Sequence, residues 1–152
     1  MELMLKAQSK KGAAGFTLIE IMVVIVILGI LAAVVVPRVM DRPDTARIVK
    51  AKQDVRALEG ALELYRLDNF NYPSTDQGLE ALVSEPSGSP EAKNWKSGGY
   101  MKRLPSDPWG AEYQYLSPGV NGDIDIFTYG ADGEEGGEDA NADIGNWNLD
   151  EN

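Results

Sequence analysis

Residues 16–36 read FTLIEIMVVIVILGILAAVVV, and Glu20 is the one ionisable residue in that run of 21. A carboxylate at mid-bilayer costs about 2.5–3.5 kcal/mol on insertion scales, and less near a segment's end, so it needs a cation as partner. A second concentration of reactive groups lies near the C-terminus. Asp132-Gly-Glu-Glu-Gly-Gly-Glu-Asp-Ala-Asn-Ala-Asp143 sets carboxylates among flexible glycines, the oxygen-rich surroundings in which Ca2+ gathers about six to eight ligands. The spacing imitates an EF-hand. However, a strand-like sequence precedes the loop and its last position is Asp, where an EF-hand has Glu, which excludes that reading. The chain contains neither Cys nor His. Disulfides, thiolate and imidazole metal sites, thiol nucleophiles and the commonest general base are thereby removed. No nucleophile elbow, phosphate loop or zinc motif is present either, so no catalytic residues and no enzyme are expected.

The 152 residues suffice for one ordinary domain. Charge is uneven: 14 basic against 24 acidic residues, with every basic residue at or before Arg103 and an unrelieved acidic stretch from Asp107 to Glu151. Such a tail repels phosphate backbones, so no nucleic acid is expected as a partner. At the other end, residues 1–15 include Lys6, Lys10 and Lys11 and read as a leader. As a helix, residues 16–36 would reach about 31 Å, enough for a bilayer core of about 30 Å. An ordinary secretory signal cut near Ala33 is disfavoured, because its apolar core is usually about 7–15 residues long and carries no acid. A plain single-span anchor explains the length but neither Glu20 nor the Gly15-Phe16 junction. Three Lys precede the run, while Arg38, Arg42, Arg47, Lys50, Lys52 and Arg56 follow it. Large following domains translocate regardless of charge, so this count does not fix the topology. A cut between Gly15 and Phe16 would create an α-amino group four residues before Glu20, at the positive end of the helix dipole. Pairing of that amine with Glu20 of a neighbouring copy would set the register of parallel apolar helices, since any other register strands a charge in a low-dielectric core.

Gly29 and Pro37 are weak points of this helix. Gly costs about 1 kcal/mol against Ala, and Pro37 lacks the amide that would bond to Ala33. After a break expected at Asp41-Arg42-Pro43-Asp44, Ile48, Val55, Leu58, Leu62 and Tyr65 mark one face of an amphipathic helix. Lys50, Lys52, Glu59, Glu63 and Arg66 are left for solvent, and the helix should end between Asp68 and Asn71, before Tyr72-Pro73. A short helix is expected at Leu79-Glu-Ala-Leu-Val, and the Pro/Gly/Ser-rich residues 84–99 read as an exposed loop. Alternation in Glu112-Tyr-Gln-Tyr-Leu and Asp123-Ile-Asp-Ile-Phe-Thr-Tyr, joined by residues 118–122, predicts a β-hairpin. The predicted class is α+β: a long N-terminal helix, apolar and membrane-spanning in its first half and amphipathic in its second, packed on a small C-terminal antiparallel sheet. The expected division is a leader over 1–15, a transmembrane helix over 16–36 and a folded domain over 37–152.

Lys10-Lys-Gly-Ala-Ala-Gly followed by Phe16-Thr-Leu-Ile-Glu resembles the class III signal of type IV pilins and pseudopilins. The resemblance implies cleavage after Gly15 by prepilin peptidase, an integral-membrane aspartyl protease acting on the cytoplasmic side. It also implies N-methylation of Phe16 and filament assembly guided by Phe16 and Glu20. Between Gly29 and Pro37 it implies a helix that is continuous in the membrane and loosens in the filament. Across nearly the whole chain, Tyr65-Arg-Leu-Asp-Asn, Tyr72-Pro73, Gln77-Gly-Leu-Glu-Ala-Leu, Leu104-Pro-Ser-Asp-Pro-Trp-Gly, Asp123-Ile-Asp-Ile-Phe, Gly130-Ala-Asp-Gly and Asp143-Ile-Gly-Asn-Trp are similar to blocks of the type II secretion major pseudopilins, which are pilin-like in fold.

For the acidic loop, about residues 129–147, this resemblance implies a Ca2+ ion held by the carboxylates of Asp132 and Asp143 and the carbonyls of Tyr129 and Glu134. Ala142 precedes Asp143 where many relatives have a second acid, so a further ligand is expected from Asp139, Asn141 or water, with Asp139 the choice. The implied function is that of a structural subunit. It is single-pass in the inner membrane, surrounded by lipid before assembly, with its C-terminal domain in the periplasm. An inner-membrane assembly platform, with minor pseudopilins, then stacks it into a helical homo-oligomer, the pseudopilus, which drives folded exoproteins through the outer-membrane secretin. The alternative is a type IV pilin for adhesion, motility or DNA uptake. Those usually close the C-terminal region with a disulfide, which this chain cannot form.

Overall fold

The computed structural model describes residues 15–151, the side chains of residues 34–42 excepted. The leader before Gly15, with Lys6, Lys10 and Lys11, and the side chain of Pro37 therefore lie outside the described residues. The chain divides into two compact units, Met1–Met40 and Asp41–Asn152.

A single helix, α1, runs Leu18–Asn69. The break expected at residues 41–44 does not occur. A proline inside a helix removes one hydrogen bond and clashes locally, but the chain on either side keeps its ladder, and the Asp44–Arg47 ion pair at 2.8 Å, three residues apart, bridges the turn after Pro43. Within the first unit every large apolar side chain from Phe16 to Leu31 is exposed, and Ile19, Met22, Val23, Val26 and Ile27 line one apolar depression. Among the described residues no helix is long and apolar enough to cross a membrane, and the side chains described there stop at Ala33.

In the second unit the helical period does what the sequence predicts. Val55, Leu58, Leu62 and Tyr65 are fully buried and Ile48 packs against the edge of the same cluster. Each such aliphatic side chain contributes about 1.5–3 kcal/mol by leaving water. Their partners are Tyr113, Tyr115, Ile124, Ile126, Ile144 and Leu149 from the sheet and its flanks, with Leu79 and Leu82 from a short 3-10 turn, Leu79–Leu82. The sheet comprises β1 (Gln114–Leu116), β2 (Asp125–Thr128) and β3 (Ile144–Gly145), all antiparallel in the order β1-β2-β3. Tyr115 stands opposite Ile126, and Thr128 opposite Ile144. The hairpin is the one expected from sequence. β3 is not, because two residues cannot show a period.

The flanking charges of α1 are not simply solvated. Lys50 pairs with Asp54 at 2.5 Å, Arg66 with Glu63 at 3.0 Å, and Arg66 lies over the ring of Tyr72, whose hydroxyl donates to Glu63. Lys52 and Arg56 reach instead to the C-terminal residues. Lys52 donates to the carbonyl of Glu151 at 2.6 Å, and Arg56 pairs with Asp150 at 3.0 Å. Leu149 is buried, and through these contacts the acidic end of the chain is strapped to the helix. Most of residues 84–99 are exposed, as expected, but the loop is pinned to the rest of the domain. Gln77 Nε2 donates to the carbonyls of Ser87 and Pro90, Trp95 Nε1 donates to Ala81, and Asn69 Oδ1 accepts from the amide of Asn94. Ala92 is buried. Backbone groups that composition assigns to water are satisfied by side chains from other segments.

Gly60 faces solvent in the middle of α1. A Cβ there would meet nothing within 4 Å, although Gly inside a helix costs about 1 kcal/mol relative to Ala.

Burial also sets an alkaline limit on this domain. Burial raises the phenol of Tyr115 to about 12 from its ordinary 10.0. Burial, and then a hydrogen bond to Asp54, raises that of Tyr113. A raised folded-state value means that the unfolded chain releases these protons first, so the stabilisation is intact below pH 10 and fades as pH climbs through the folded values. The melting temperature of the domain should therefore be flat to about pH 10 and fall towards pH 12, with tyrosinate absorbance rising in step with unfolding. Tyrosinate at Tyr113 or Tyr115, identified by replacing each with Phe, that appears near pH 10 in the still-folded domain would contradict this.

Candidate functional site

At the N-terminus, Thr17 ends the extended segment and caps α1. Its carbonyl accepts from the amides of Glu20 at 3.1 Å and Ile21 at 3.3 Å, and its hydroxyl accepts from the amide of Glu20 at 3.3 Å. Thr17 and Glu20 thus occupy the first and last places of a T-x-x-E capping box. The sequence carries that signal, but the reading of Glu20 as a buried charge alone passes over it. The capping position puts the carboxylate in the first helical turn, where the dipole favours an anion. Glu20 is exposed and makes no ion pair among the described residues. Gly15 and Phe16 lie just outside the helix, both exposed, so the junction between them is open to approach. α1 passes through Gly29 and Pro37 without interruption, and a Cβ on Gly29 would meet nothing within 4 Å.

The acidic loop leaves β2 at Tyr129, whose ring packs edge-on against Phe127 at 5.2 Å. The next residue, Gly130, has φ 72°, and a Cβ there would lie 2.8 Å from the carbonyl of Ala140. Only Gly permits this approach. It lets the amide of Ala131 donate to that same carbonyl at 2.8 Å and close the loop on itself. Inside the loop Asp132 accepts from the amide of Glu134 at 3.1 Å, and Asp143 Oδ2 accepts from the amide of Gly136 at 3.0 Å. Asp139, at φ 54°, opens a 3-10 turn, Asp139–Asn141.

Asp139 and Asp143 line one cavity of about 330 Å³ together with Ile48, Lys52, Asn148 and Glu151. Asp132 and Glu134 do not line that cavity. Among the described residues no group of three or more carboxylates converges as a metal cluster, so a cation here would depend on main-chain carbonyls for the balance of its ligands. One observation fits such an ion. Asp143 Oδ1 is buried with no hydrogen-bond partner among the described residues, and a buried charged oxygen left without a partner costs free energy.

Asn148 is the residue that the sequence does not single out. Its side-chain amide donates to the carbonyl of Asp143 at 3.0 Å and its Oδ1 accepts from the amide of Gly145 at 2.9 Å. It ties the end of the loop to β3 and to the strap on α1. Leu149, set between the polar residues Asn148 and Asp150, is the available hint.

Comparison with known proteins extends this picture. Residues 38–147 match the family model described as type II secretion system protein G, and residues 10–36 match the prokaryotic N-terminal methylation motif. The chain is 62% identical over 138 residues to type II secretion system core protein G of Pseudomonas aeruginosa, covering 91% of this chain and 97% of that protein. It is also 62% identical over 135 residues to core protein G of Vibrio cholerae, covering 89% and 92%. Its fold is similar to the crystal structure of the major pseudopilin from the type 2 secretion system of enterohaemorrhagic Escherichia coli. That match has a TM-score of 0.65 and 53% identity, and covers 74% of this chain and 96% of that one. The pilin-like α+β architecture, the methylation motif and the contiguous domain match thus agree, and the chain belongs to the type II secretion system protein G family.

Proposed function

We propose that this chain is the major structural subunit of a type II secretion pseudopilus and acts by polymerising, with no catalysis of its own. The observation that carries this is the adjacency, in one chain, of a methylation motif and a protein G domain, with the large apolar side chains of residues 16–31 exposed. In this reading prepilin peptidase cuts between Gly15 and Phe16. The subunit waits as a single-pass inner-membrane protein with lipid around residues 16–36 and its domain in the periplasm. An assembly platform and minor pseudopilins then build it into a filament. The apolar helix supplies cohesion, and pairing of Glu20 with a neighbour's new α-amino group supplies register. N-terminal sequencing of the mature protein tests the first step, and a start at Met1 or beyond Phe16 would end the proposal. A deletion strain should lose secreted enzymes and keep twitching motility. The opposite pattern would favour the type IV pilin alternative.

We further propose that the acidic loop holds Ca2+ through Asp132, Asp143, Asp139 and the carbonyls of Tyr129 and Glu134. The unpartnered Asp143 oxygen supports this. When bound, the ion would supply positive charge to a loop of like charges and substitute for the staple that a Cys-free chain lacks. At a hundredfold excess of calcium over Kd, linkage gives about 2.7 kcal/mol, a rise in Tm of roughly 10 °C for a domain of this size. Chelator should reverse that rise, and Asp143→Asn should remove it. Equal shifts in wild type and variant would dismiss the site.

A further inference from the structure

The last residues of the chain touch both the acidic loop and α1. Asn148 holds the loop side, where its side-chain amide donates to the carbonyl of Asp143 at 3.0 Å. Leu149 follows, 9% exposed. On the helix side Arg56 pairs with Asp150 at 3.0 Å and donates to the carbonyl of Leu149 at 3.5 Å, and Lys52 donates to the carbonyl of Glu151 at 2.6 Å. These contacts border the cavity of about 330 Å³. Its walls come from three separate stretches of chain: Ile48 and Lys52 of α1, Asn148 and Glu151 of the tail, and Asp139 and Asp143 of the loop. Two of the calcium ligands proposed above thus share a cavity with the end of the chain and with the helix that receives it.

Beyond Leu149 the tail is weakly held. The side chains of Arg56 and Asp150 are 51% and 99% exposed, and exposed ion pairs contribute about 0–1 kcal/mol. Charge loosens it further. The loop carries six acidic residues from Asp132 to Asp143, and Asp150 and Glu151 add two more in a stretch with no basic residue of its own, so the loop without a cation repels the tail. A divalent cation on Asp139 and Asp143 removes that repulsion and favours a tail lying against the cavity. The reverse also holds. A tail docked on α1 fixes Asn148, which holds the main chain of Asp143, and outer partners of this kind orient the groups that bind a metal. Two events that favour each other in this way are coupled, and the coupling is reciprocal.

We propose that residues 148–151 are a latch whose docking on Lys52 and Arg56 is coupled to Ca2+ binding in the acidic loop, each event strengthening the other. The proposal rests on the calcium reading above. Its test uses the full-length chain in detergent micelles. Arg56→Gln takes away the ion pair of the latch and leaves every residue of the loop and of the cavity in place. Coulomb attraction by itself predicts that losing a positive charge near an acidic loop tightens Ca2+ binding. The latch predicts the opposite sign, and in a calorimetric titration the Kd for Ca2+ should rise about fivefold. The converse is read with a spin label on Glu151→Cys, which is free of background because the chain has no Cys. Lys52 contacts the carbonyl at that position, so the substitution spares the contact. Ca2+ should slow the label, and adding Asp143→Asn should abolish the slowing. Unchanged or tighter Ca2+ binding by Arg56→Gln would overturn the proposal, as would a label whose mobility ignores Ca2+ in a chain that binds it. An unmodified chain that takes up no Ca2+ in the same titration would instead count against the calcium reading itself.

Discussion

The Glu20→Ala chain is expected to be cut normally after Gly15 and yet to leave no filaments. Removing one partner of a buried ion pair costs about 3–5 kcal/mol, and each subunit added to a filament would repeat that loss. Even the lower figure corresponds to about a hundredfold weaker addition at each step. Electron microscopy of sheared filaments and N-terminal sequencing of the membrane-bound subunit read the two halves of this expectation separately. Because Glu20 also holds the acidic place of the T-x-x-E sequence in the first turn of α1, a weakened helix start is a rival explanation, and Glu20→Gln separates the two. Glutamine serves a capping box as glutamate does but carries no charge, so a variant that fails to assemble although its helix is capped isolates the charge. Normal filaments from Glu20→Gln would reduce Glu20 to a helix-starting residue.

The second large effect lies in the folded domain. Asp125 is 2% exposed, and its carboxylate accepts from the amide of Val120 at 2.8 Å, the amide of Asn121 at 3.1 Å and the side chain of Asn121 at 3.0 Å. It gathers the turn between β1 and β2 so tightly that a Cβ on Gly119 would lie 2.6 Å from its Oδ1. Asp125→Ala leaves the amides of Val120 and Asn121 without their acceptor in the protein and should cost about 2–3 kcal/mol. Asp125→Asn, which keeps the shape and one acceptor, should cost roughly half as much. Chemical denaturation of a fragment beginning at Asp41 measures both. A loss under about 1 kcal/mol for Asp125→Ala would mean that water replaces the carboxylate at small cost.

What could be read from the sequence follows from what repeats in it. Val55, Leu58, Leu62 and Tyr65 recur at the helical period, and the residues of β1 and β2 alternate, so the core helix and the hairpin were legible. The methylation motif and the protein G blocks were legible as resemblance and agree with the family match. Continuity of α1 past Pro43 was not, because a proline states a local penalty and says nothing of what its neighbours recover. Nor were the pinning of residues 84–99 by Gln77, Trp95 and Asn69, the strap of residues 149–151 on Lys52 and Arg56, or the part played by Asn148. Each of these joins residues far apart in the chain through single polar side chains, which leave no period. In the acidic loop, the residue types were visible but not their grouping. Asp139 and Asp143 share a cavity, while Asp132 turns to its own neighbour, Glu134.

The outer strands of the sheet are only three and two residues long. Open strand edges are where crowded β proteins recruit one another into aggregates, and short edges give such recruitment little to hold. A subunit that must be kept at high density and then join many identical copies is thus guarded against the wrong kind of joining. A shared backbone ladder is a poor means of holding one copy to the next here, because the outer strands offer so few groups to pair.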